Sequence, residues 1–363
     1  MDCFLPLALC ALVHCGTEAP TSQEVTSSPL LSRGCNDYDV LATADLALQH
    51  INRHREDGFV LSLYRVYDVW EHKQASQGSL FYLTMEVYET DCHVLSRKAW
   101  RHCTRVLAES ASGQCKAIFY QNKPKEVSYL PAYNCTLLSG ATGKIRKLCH
   151  GCLACRIIDS SHPQALEAAT KALAKYNSES TSKQYSLVKV IRASIRRLPV
   201  AATYRVHYLI RESPCNRSQS SNCSLQPSDS PPAGLCFGVL FLYEGLSRPT
   251  IGGCDLFESQ GQVPRAENPS SSPTKPTPLG SIQYILDLNY TIAKEYQEFE
   301  YRPETIPEML FLTTDPQGIT LDISFLFPGS QQEKLVVLPF PRERSSAECP
   351  GPEQLNSYWT IYK

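Results

Sequence analysis

Apolar positions near the start of the chain predict one helix followed by strands. Between Val40 and Asn52, apolar residues recur at positions 41, 44, 48 and 51, the spacing of an amphipathic helix with one buried face. After Gly58, β-branched and aromatic residues dominate with partial alternation, which predicts strands over residues 59–69, 80–90, 114–120 and 127–134. One helix laid on an antiparallel sheet, an α+β unit, accounts for this order.

The same order of elements returns in the second half of the chain. Residues 165–177 repeat the helix, with Asn177 at the position of Asn52, and residues 185–195 and 204–215 repeat the strands. Cysteines also recur in matching order, first at positions 92, 103, 115 and 135 and then at 215, 223, 236 and 254. Chance similarity does not account for four matched cysteines, so we infer a tandem duplication.

The chain after Cys254 differs in composition from both repeats. Prolines and serines crowd residues 260–280, which predicts a linker that buries too little apolar surface to become ordered. Apolar character returns at residues 319–327 and 335–338. We therefore expect one or two strands in a C-terminal region that is otherwise largely irregular.

The N-terminal pattern indicates export. The apolar run from Cys3 to Val13 is too short to span a bilayer and precedes a polar stretch, which is typical of a secretory signal. We expect a secreted, extracellular protein. The predicted boundaries are a signal peptide over 1–15, a flexible N-terminus over 16–34, a first domain over 35–148, an inter-domain linker over 149–155, a second domain over 156–258, and a Pro/Ser-rich linker with the C-terminal region over 259–363.

Composition narrows the classes of function. The chain has 35 basic and 36 acidic residues, so no field of one sign favours nucleic acid or a membrane surface as a partner. It lacks a His-Glu-x-x-His pair, a Gly-x-Ser-x-Gly elbow and a glycine-rich phosphate loop. We expect neither enzymatic activity nor a cofactor.

Cysteine usage predicts a disulfide framework. Of sixteen cysteines, Cys3, Cys10 and Cys15 fall in the signal, and the thirteen that remain leave one without an internal partner. The simplest pairing is local, with one long bridge between the two isolated cysteines: Cys92–Cys103, Cys115–Cys135, Cys215–Cys223, Cys236–Cys254 and Cys35–Cys349. Sequons for N-glycosylation agree with export and occur at Asn134, Asn216, Asn222 and Asn289.

The repeated cysteines resemble those of the fetuins, secreted plasma glycoproteins with two tandem cystatin domains and a variable C-terminal region. The stretches that look closest to the fetuin-B branch of that family are residues 32–37, 78–83, 89–95, 113–119, 182–187 and 334–341. The resemblance covers nearly the whole mature chain. It implies two cystatin folds, a bridge from the first cysteine to the last, and inhibition of secreted astacin-type zinc metalloproteases. For the fetuin-B branch it also implies a role in keeping the zona pellucida penetrable before fertilisation.

The family's inhibitory element is a Cys-Pro-Asp-Cys-Pro linker, in which a disulfide closes a tight loop and the aspartate reaches the protease zinc. The matching residues here are Cys149, His150, Gly151, Cys152 and Leu153, so both prolines and the aspartate are replaced. A Cys149–Cys152 disulfide would present His150, whose imidazole could replace the aspartate as a ligand to a protease zinc. The alternative is a non-inhibitory plasma glycoprotein that carries mineral or another ligand.

Cys155 is the surplus thiol of this pattern. It could pair with Cys149 or Cys152, or link two chains into a dimer; otherwise we expect a monomer. Three cysteines with His150 also suggest a C-H-x-C-x-x-C metal site. The spacing is loose and secretion favours oxidation, so we expect no intrinsic metal.

Cystatins also use a Gln-x-Val-x-Gly hairpin against papain-like proteases. The corresponding turn of the first unit, Trp70–Gly78, lacks the motif, and in the second unit Arg196, Arg197, Leu198 and Pro199 occupy its place. We expect no inhibition of cysteine proteases. Both hairpins are still expected to flank the linker and touch a docked metalloprotease, with the two arginines facing an acidic surface.

Overall fold

The computed structural model describes residues 30–74, 78–104, 110–139, 155–180, 183–213, 231–243, 246–257, 276–286, 312–327 and 333–354. Several expected features lie outside these ranges: the signal peptide, the linker residues Cys149–Cys152, the pair Cys215 and Cys223, and the sequons at Asn216, Asn222 and Asn289.

The first unit is one helix packed on an antiparallel sheet. Helix α1 is Tyr38–His54, and its buried face includes Val40, Ala44, Leu48 and Ile51. The strands lie side by side in chain order: β1 Leu31–Ser32, β2 Phe59–Lys73, β3 Ser79–His93, β4 Ser112–Asn122 and β5 Val127–Ser139. The predicted helix and strands of this unit are confirmed, each with longer bounds.

Order begins earlier than the predicted boundary at Cys35. Leu31 and Ser32 form β1 and pair with Glu71 and Trp70 of β2. The prediction of a flexible N-terminus up to residue 34 is therefore wrong for these positions, because backbone pairing to the edge of the first sheet holds them.

The second unit repeats this architecture. Helix α2 is Pro163–Glu179, and its sheet has the order β10-β9-β8-β7-β6. His162 caps α2, since its Nδ1 accepts a hydrogen bond from the backbone N–H of Gln164. The strands are β6 Cys155–Ile158, β7 Tyr185–Leu198, β8 Ala201–Glu212, β9 Gly234–Tyr243 and β10 Leu246–Leu256.

Two asparagines show how closely the units correspond. Asn52 donates to the carbonyl of Leu61 at 2.9 Å and accepts from its N–H at 2.8 Å. Asn177 makes the same pair of bonds with Tyr185, at 2.8 and 3.0 Å. In each unit a single amide side chain joins the end of the helix to the first long strand, as the alignment of Asn177 with Asn52 predicts.

Helix α2 lies close to its sheet because its buried face is mostly alanine, namely Ala165, Ala168, Ala169 and Ala172. A Cβ added at Gly238 of β9 would lie 2.6 Å from the Cβ of Ala172, so the glycine permits this approach. Within the described part of the chain, no helix combines the length and apolar character needed to cross a membrane.

The C-terminal region is more ordered than the sequence predicts. Leu279–Leu286 forms β11, which pairs in parallel with β5 and becomes the sixth strand of the first sheet. The predicted linker over 260–280 therefore ends at least two residues too late, because Leu279 and Gly280 pair with Ala132 and Tyr133. Strands β12, Ile319–Asp322, and β13, Lys334–Val337, form a small antiparallel pair.

This small sheet packs on the face of the first sheet that lies away from α1. The shared core includes Tyr82, Tyr120, Ile323, Leu335 and Phe340. Residues Ser324–Leu326, expected within a strand, form a turn of 3₁₀ helix. The C-terminal region is thus a cover for the first unit, and burial of these apolar side chains stabilises it.

Four disulfides join described residues. They are Cys35–Cys349, Cys92–Cys103, Cys115–Cys135 and Cys236–Cys254. Each of them is one of the pairings expected from the sequence. Cys35–Cys349 ties the start of the first unit to the end of the C-terminal cover.

Candidate functional site

One end of the second sheet brings three chain segments together. Cys155, the first residue of β6, pairs with Arg196 of β7, and Ala201 of β8 pairs with Tyr243 of β9. The β7–β8 turn therefore lies beside the paired ends of β9 and β10, next to the point where the chain enters the second unit. We call residues 196–201, Tyr243 and Leu246, with the backbone at Cys155, the hairpin edge.

The hairpin edge exposes apolar side chains beside cationic ones. Val200 and Leu246 are 62% and 61% exposed, and Tyr243 is 41% exposed. Arg197 is exposed and Arg196 is half-buried. Among the described residues, the buried Nε of Arg196 has no hydrogen-bond partner. An edge of this composition is typical of a protein-binding surface rather than of a solvated turn.

The structure places the predicted hairpin residues on this edge. Arg196, Arg197 and Leu198 end β7, and Pro199 opens the turn, where its fixed φ and missing N–H stop the strand. The predicted linker boundary is one residue too long, since Cys155 already pairs in β6. The linker residues 149–152 lie between the described ends Ser139 and Cys155.

The β9–β10 turn was missed by the sequence analysis. Its signal was available, because Glu244-Gly245 follows the apolar stretch 239–243 and precedes Leu246, and a short polar, glycine-containing break between strands predicts a hairpin. The exposed Val200, Tyr243 and Leu246 could not be identified from periodicity alone, since apolar strand residues are more often buried.

The flanking of the linker by the hairpin of the first unit stays a prediction. The structure places this hairpin at the end of the first sheet away from Ser139, the last described residue before the linker. Ser139 ends β5 next to Leu138, the partner of Ser112, whereas the β2–β3 turn lies at the opposite end of the sheet, beyond the Lys73–Ser79 pair. The C-terminal cover engages this turn. Gln74 donates to the carbonyl of Val336 at 3.1 Å and accepts from its N–H at 3.0 Å.

Asn134 is the expected glycosylation site that falls within the described residues. It lies on β5 between Lys116 of β4 and Ser281 of β11. Its side chain is half-buried, and its Oδ1 has no hydrogen-bond partner among the described residues. Glycosylation at Asn134 stays a prediction.

Cys92, Cys103 and Asp91 form a cluster with ligand-type atoms within 4.8 Å of one another. The two sulfurs are joined in a disulfide, so neither is available as a thiolate ligand. This cluster therefore does not hold a metal.

The two units meet through a face that we call the unit interface. Its apolar centre consists of Phe59 from the first unit and Leu209 and Leu235 from the second, with Val188, Ile191 and Phe257 around it. Two histidines are buried there. His93 stacks on Phe257, and His207 meets the ring of Phe59 edge-on.

Burial keeps both histidines neutral. It lowers the pKa of His93 to about 4, against the opposing effect of Asp57, whose carboxylate lies 3.5 Å from Nε2. Burial also lowers the pKa of His207 to about 3, and the charge of Arg192 lowers it further.

We expect the unit interface to weaken in mild acid. A histidine with a lowered folded-state pKa contributes its full stability above the unfolded value near 6.5 and loses it as the pH falls toward the folded value. Between pH 7.5 and 5, roughly 2 kcal/mol of the free energy of unfolding should be lost for each histidine. Urea unfolding at several pH values measures this loss.

The matched variant for that experiment is His207→Phe, which keeps an aromatic ring beside Phe59 but takes up no proton. In this variant the free energy of unfolding should fall by about 2 kcal/mol less between pH 7.5 and 5 than in the wild type. A decline of equal slope in the variant and the wild type would contradict the assignment to His207.

Comparison with known proteins identifies the family. The cystatin domain model matches residues 32–124 and 155–241, one match in each unit. Human fetuin-B is 51% identical over 379 aligned residues, which cover 98% of this chain and 98% of the relative. The chain belongs to the fetuin-B family. The two units are therefore cystatin domains, and the chain is not an enzyme.

Solved structures of mouse fetuin-B extend this similarity to the fold. Mouse fetuin-B in an inhibitory complex with human meprin beta is 47% identical, with a TM-score of 0.73 over 90% of this chain and 98% of that chain. Mouse fetuin-B in complex with crayfish astacin is also 47% identical, with a TM-score of 0.71 over 90% of this chain and 96% of that chain. The arrangement of both cystatin units in fetuin-B is thus shared by this chain.

Proposed function

We propose that this protein is a secreted glycoprotein inhibitor of an astacin-type zinc metalloprotease, and that it supports fertilisation by preventing premature hardening of the zona pellucida. The linker Cys149–Cys152 and the hairpin edge of the second cystatin unit would meet the protease. The complexes of mouse fetuin-B with human meprin beta and with crayfish astacin support an astacin-type metalloprotease as the partner.

The observation that carries the proposal is the convergence at the hairpin edge. The β7–β8 turn and the paired ends of β9 and β10 carry exposed apolar side chains beside Cys155, so one protease surface can contact both hairpins and the linker. Burial of Val200 and Leu246 would supply affinity, and Arg197 would favour an acidic rim on the protease. The linker supplies His150 as the candidate ligand to the protease zinc.

A second function has support from the linker sequence. Gly151 stands where the family carries the zinc-binding aspartate, so the linker lacks the carboxylate. Without an effective ligand in its place, the protein would be a non-inhibitory cystatin-fold glycoprotein. Titration of crayfish astacin and human meprin beta with the purified chain separates the two functions, because full protease activity at micromolar excess would exclude the inhibitor.

Replacement of both Val200 and Leu246 by aspartate should raise the inhibition constant by roughly tenfold or more, since two exposed apolar side chains would no longer be buried against the protease. The matched control is Leu166→Asp, which changes an exposed leucine on α2, away from the hairpin edge. Equal inhibition constants for the edge variant and the control would show that the hairpin edge does not contact the protease.

A linker variant tests the zinc ligand separately. If the imidazole binds the protease zinc, His150→Ala should abolish inhibition; if the hairpin edge dominates, it should leave inhibition nearly intact. Restoring the family's carboxylate with Gly151→Asp should strengthen inhibition in either case. Inhibition constants against astacin measure both effects.

A further inference from the structure

The unit interface contains a buried ion pair that neither the linker nor the hairpin edge explains. Arg192 of β7 meets Glu89 of β3, and their side chains are 10% and 3% exposed. The guanidinium also lies 3.9 Å above the ring centre of Phe59. One arginine thus contacts the first cystatin unit through a charge and through an aromatic face.

The C-terminal region joins the same cluster. The hydroxyl of Tyr284 on β11 donates to Glu89 at 2.7 Å and accepts from Nη2 of Arg55 at 3.1 Å. The N–H of Ala111 donates to the other carboxylate oxygen of Glu89 at 3.2 Å. Glu89 therefore has partners from both cystatin units and from β11, and these three hydrogen bonds offset part of the cost of burying its charge.

The position of this cluster in the topology relates it to the linker. Tyr284 pairs with Leu137, two residues before β5 ends, and Glu89 follows Tyr88, which pairs with Ser112, the partner of Leu138. Ser139, where the described part of the first unit ends before the linker, therefore lies near Glu89 in the sheet.

The other member of the pair, Arg192, lies on the strand that pairs with Cys155, the first described residue after the linker. Cys155 pairs with Arg196, four residues along β7 from Arg192, a distance of roughly 13 Å along a strand. A chain from Ser139 to Cys155 could span roughly 50 Å if extended. The covalent connection alone therefore leaves the spacing of its ends open, and contacts between the units must set it.

Two other ion pairs join the described parts of the two units, but they are poorly suited to fix the position of one unit relative to the other. Lys98–Asp255 and Lys189–Asp57 each join the two units at 2.7 Å, but all four side chains are at least 36% exposed. Exposed pairs contribute little and are screened by salt, whereas loss of one member of a buried pair leaves an uncompensated charge.

We propose that the buried pair Glu89–Arg192, with Tyr284 as its support, fixes the angle between the two cystatin units and so positions the linker and the hairpin edge for the protease. Glu89, Arg192 and Tyr284 are positioning residues and touch no protease. The effect on inhibition rests on the proposed function, whereas the effect on the angle does not.

Energy transfer between the units tests the angle. Donor and acceptor dyes, attached through azidophenylalanine at the exposed positions Tyr38 of α1 and Leu166 of α2, report one inter-unit distance. Arg192→Met should broaden the distance distribution and raise the inhibition constant against astacin by about tenfold or more, because Glu89 loses its cation while methionine keeps an unbranched apolar side chain at this position. Tyr284→Phe should also broaden the distance distribution and raise the inhibition constant, but by less than Arg192→Met.

Two variants serve as controls. Arg192→Lys keeps the charge, so the distribution should narrow again and the inhibition constant should rise by less than Arg192→Met causes. Lys98→Met removes an exposed inter-unit pair and should leave both measurements within about twofold of the wild type. If Arg192→Met unfolds either unit, as circular dichroism would show, Tyr284→Phe and Arg192→Lys carry the test.

The outcomes separate the two proposals. A distance distribution unchanged in both Arg192→Met and Tyr284→Phe overturns the positioning role, as does a broadened distribution with an unchanged inhibition constant. If the wild type does not inhibit at all, the proposed function fails. The role of the pair in fixing the angle is then supported or overturned by the energy-transfer distribution alone.

Discussion

Replacement of Gly113 by alanine is expected to unfold the first cystatin unit or to destabilise it by about 3 kcal/mol or more. Gly113 lies in β4 between Val87 of β3 and Leu137 of β5. A Cβ at this position would lie 1.9 Å from the carbonyl oxygen of Thr136 and 2.9 Å from the Cα of Leu137. These are backbone atoms, so no side-chain rotation can relieve the overlap.

The damage should be confined to the first unit. The strand pair that must separate carries the Cys115–Cys135 disulfide and buried core residues, whereas the second unit has its own core. Thermal unfolding followed by hydrogen exchange in each unit measures the difference. Ser112→Ala, one residue earlier on β4, is the matched control and should change the melting temperature little. A Gly113→Ala protein that melts like the control would show that β4 and β5 can separate at low cost.

Removal of the long bridge by Cys35→Ala with Cys349→Ala is expected to release the C-terminal cover from the first unit. The bridge joins residues 314 positions apart, and both cysteines are buried. Loss of a bridge that closes so long a loop should cost about 2–5 kcal/mol, mainly through the greater freedom of the unfolded chain.

Release of the cover would expose the apolar face of the first sheet. Tyr82, which accepts a hydrogen bond from the N–H of Leu338, would lose both this bond and its contact with Phe340. Binding of a hydrophobic dye and proteolysis within residues 333–354 should therefore increase. Cys236→Ala with Cys254→Ala, confined to the second unit, is the control. Equal proteolysis in the two variants would show that the cover is held by packing alone.

Local patterns were sufficient for most of each cystatin unit. The spacing of apolar residues predicts α1, and the match between Asn52 and Asn177 predicts α2 and the strand after it, because these signals depend on neighbours in the chain. The hairpin at Arg196–Pro199 follows from the same alignment. The pairing of Cys35 with Cys349 follows from their isolation at the two ends.

Contacts between distant segments could not be predicted in this way. The residues of β11 alternate like a strand, but nothing in their composition says that they pair in parallel with β5 of the first unit. Glu89 is one charged residue in a long strand, and its partner Arg192 lies 103 residues away. Neither residue type nor spacing marks a buried pair, since a charge in a strand is normally exposed.

Strand β11 belongs to the C-terminal region but completes the sheet of the first unit, and this affects the order in which the two units are finished during synthesis. The first unit leaves the ribosome before the second, yet the outer edge of its sheet stays open until residues 279–286 have emerged. An open strand edge can pair with other chains, and Cys35 has no partner until Cys349 is made. The unit that is synthesised first is therefore finished last.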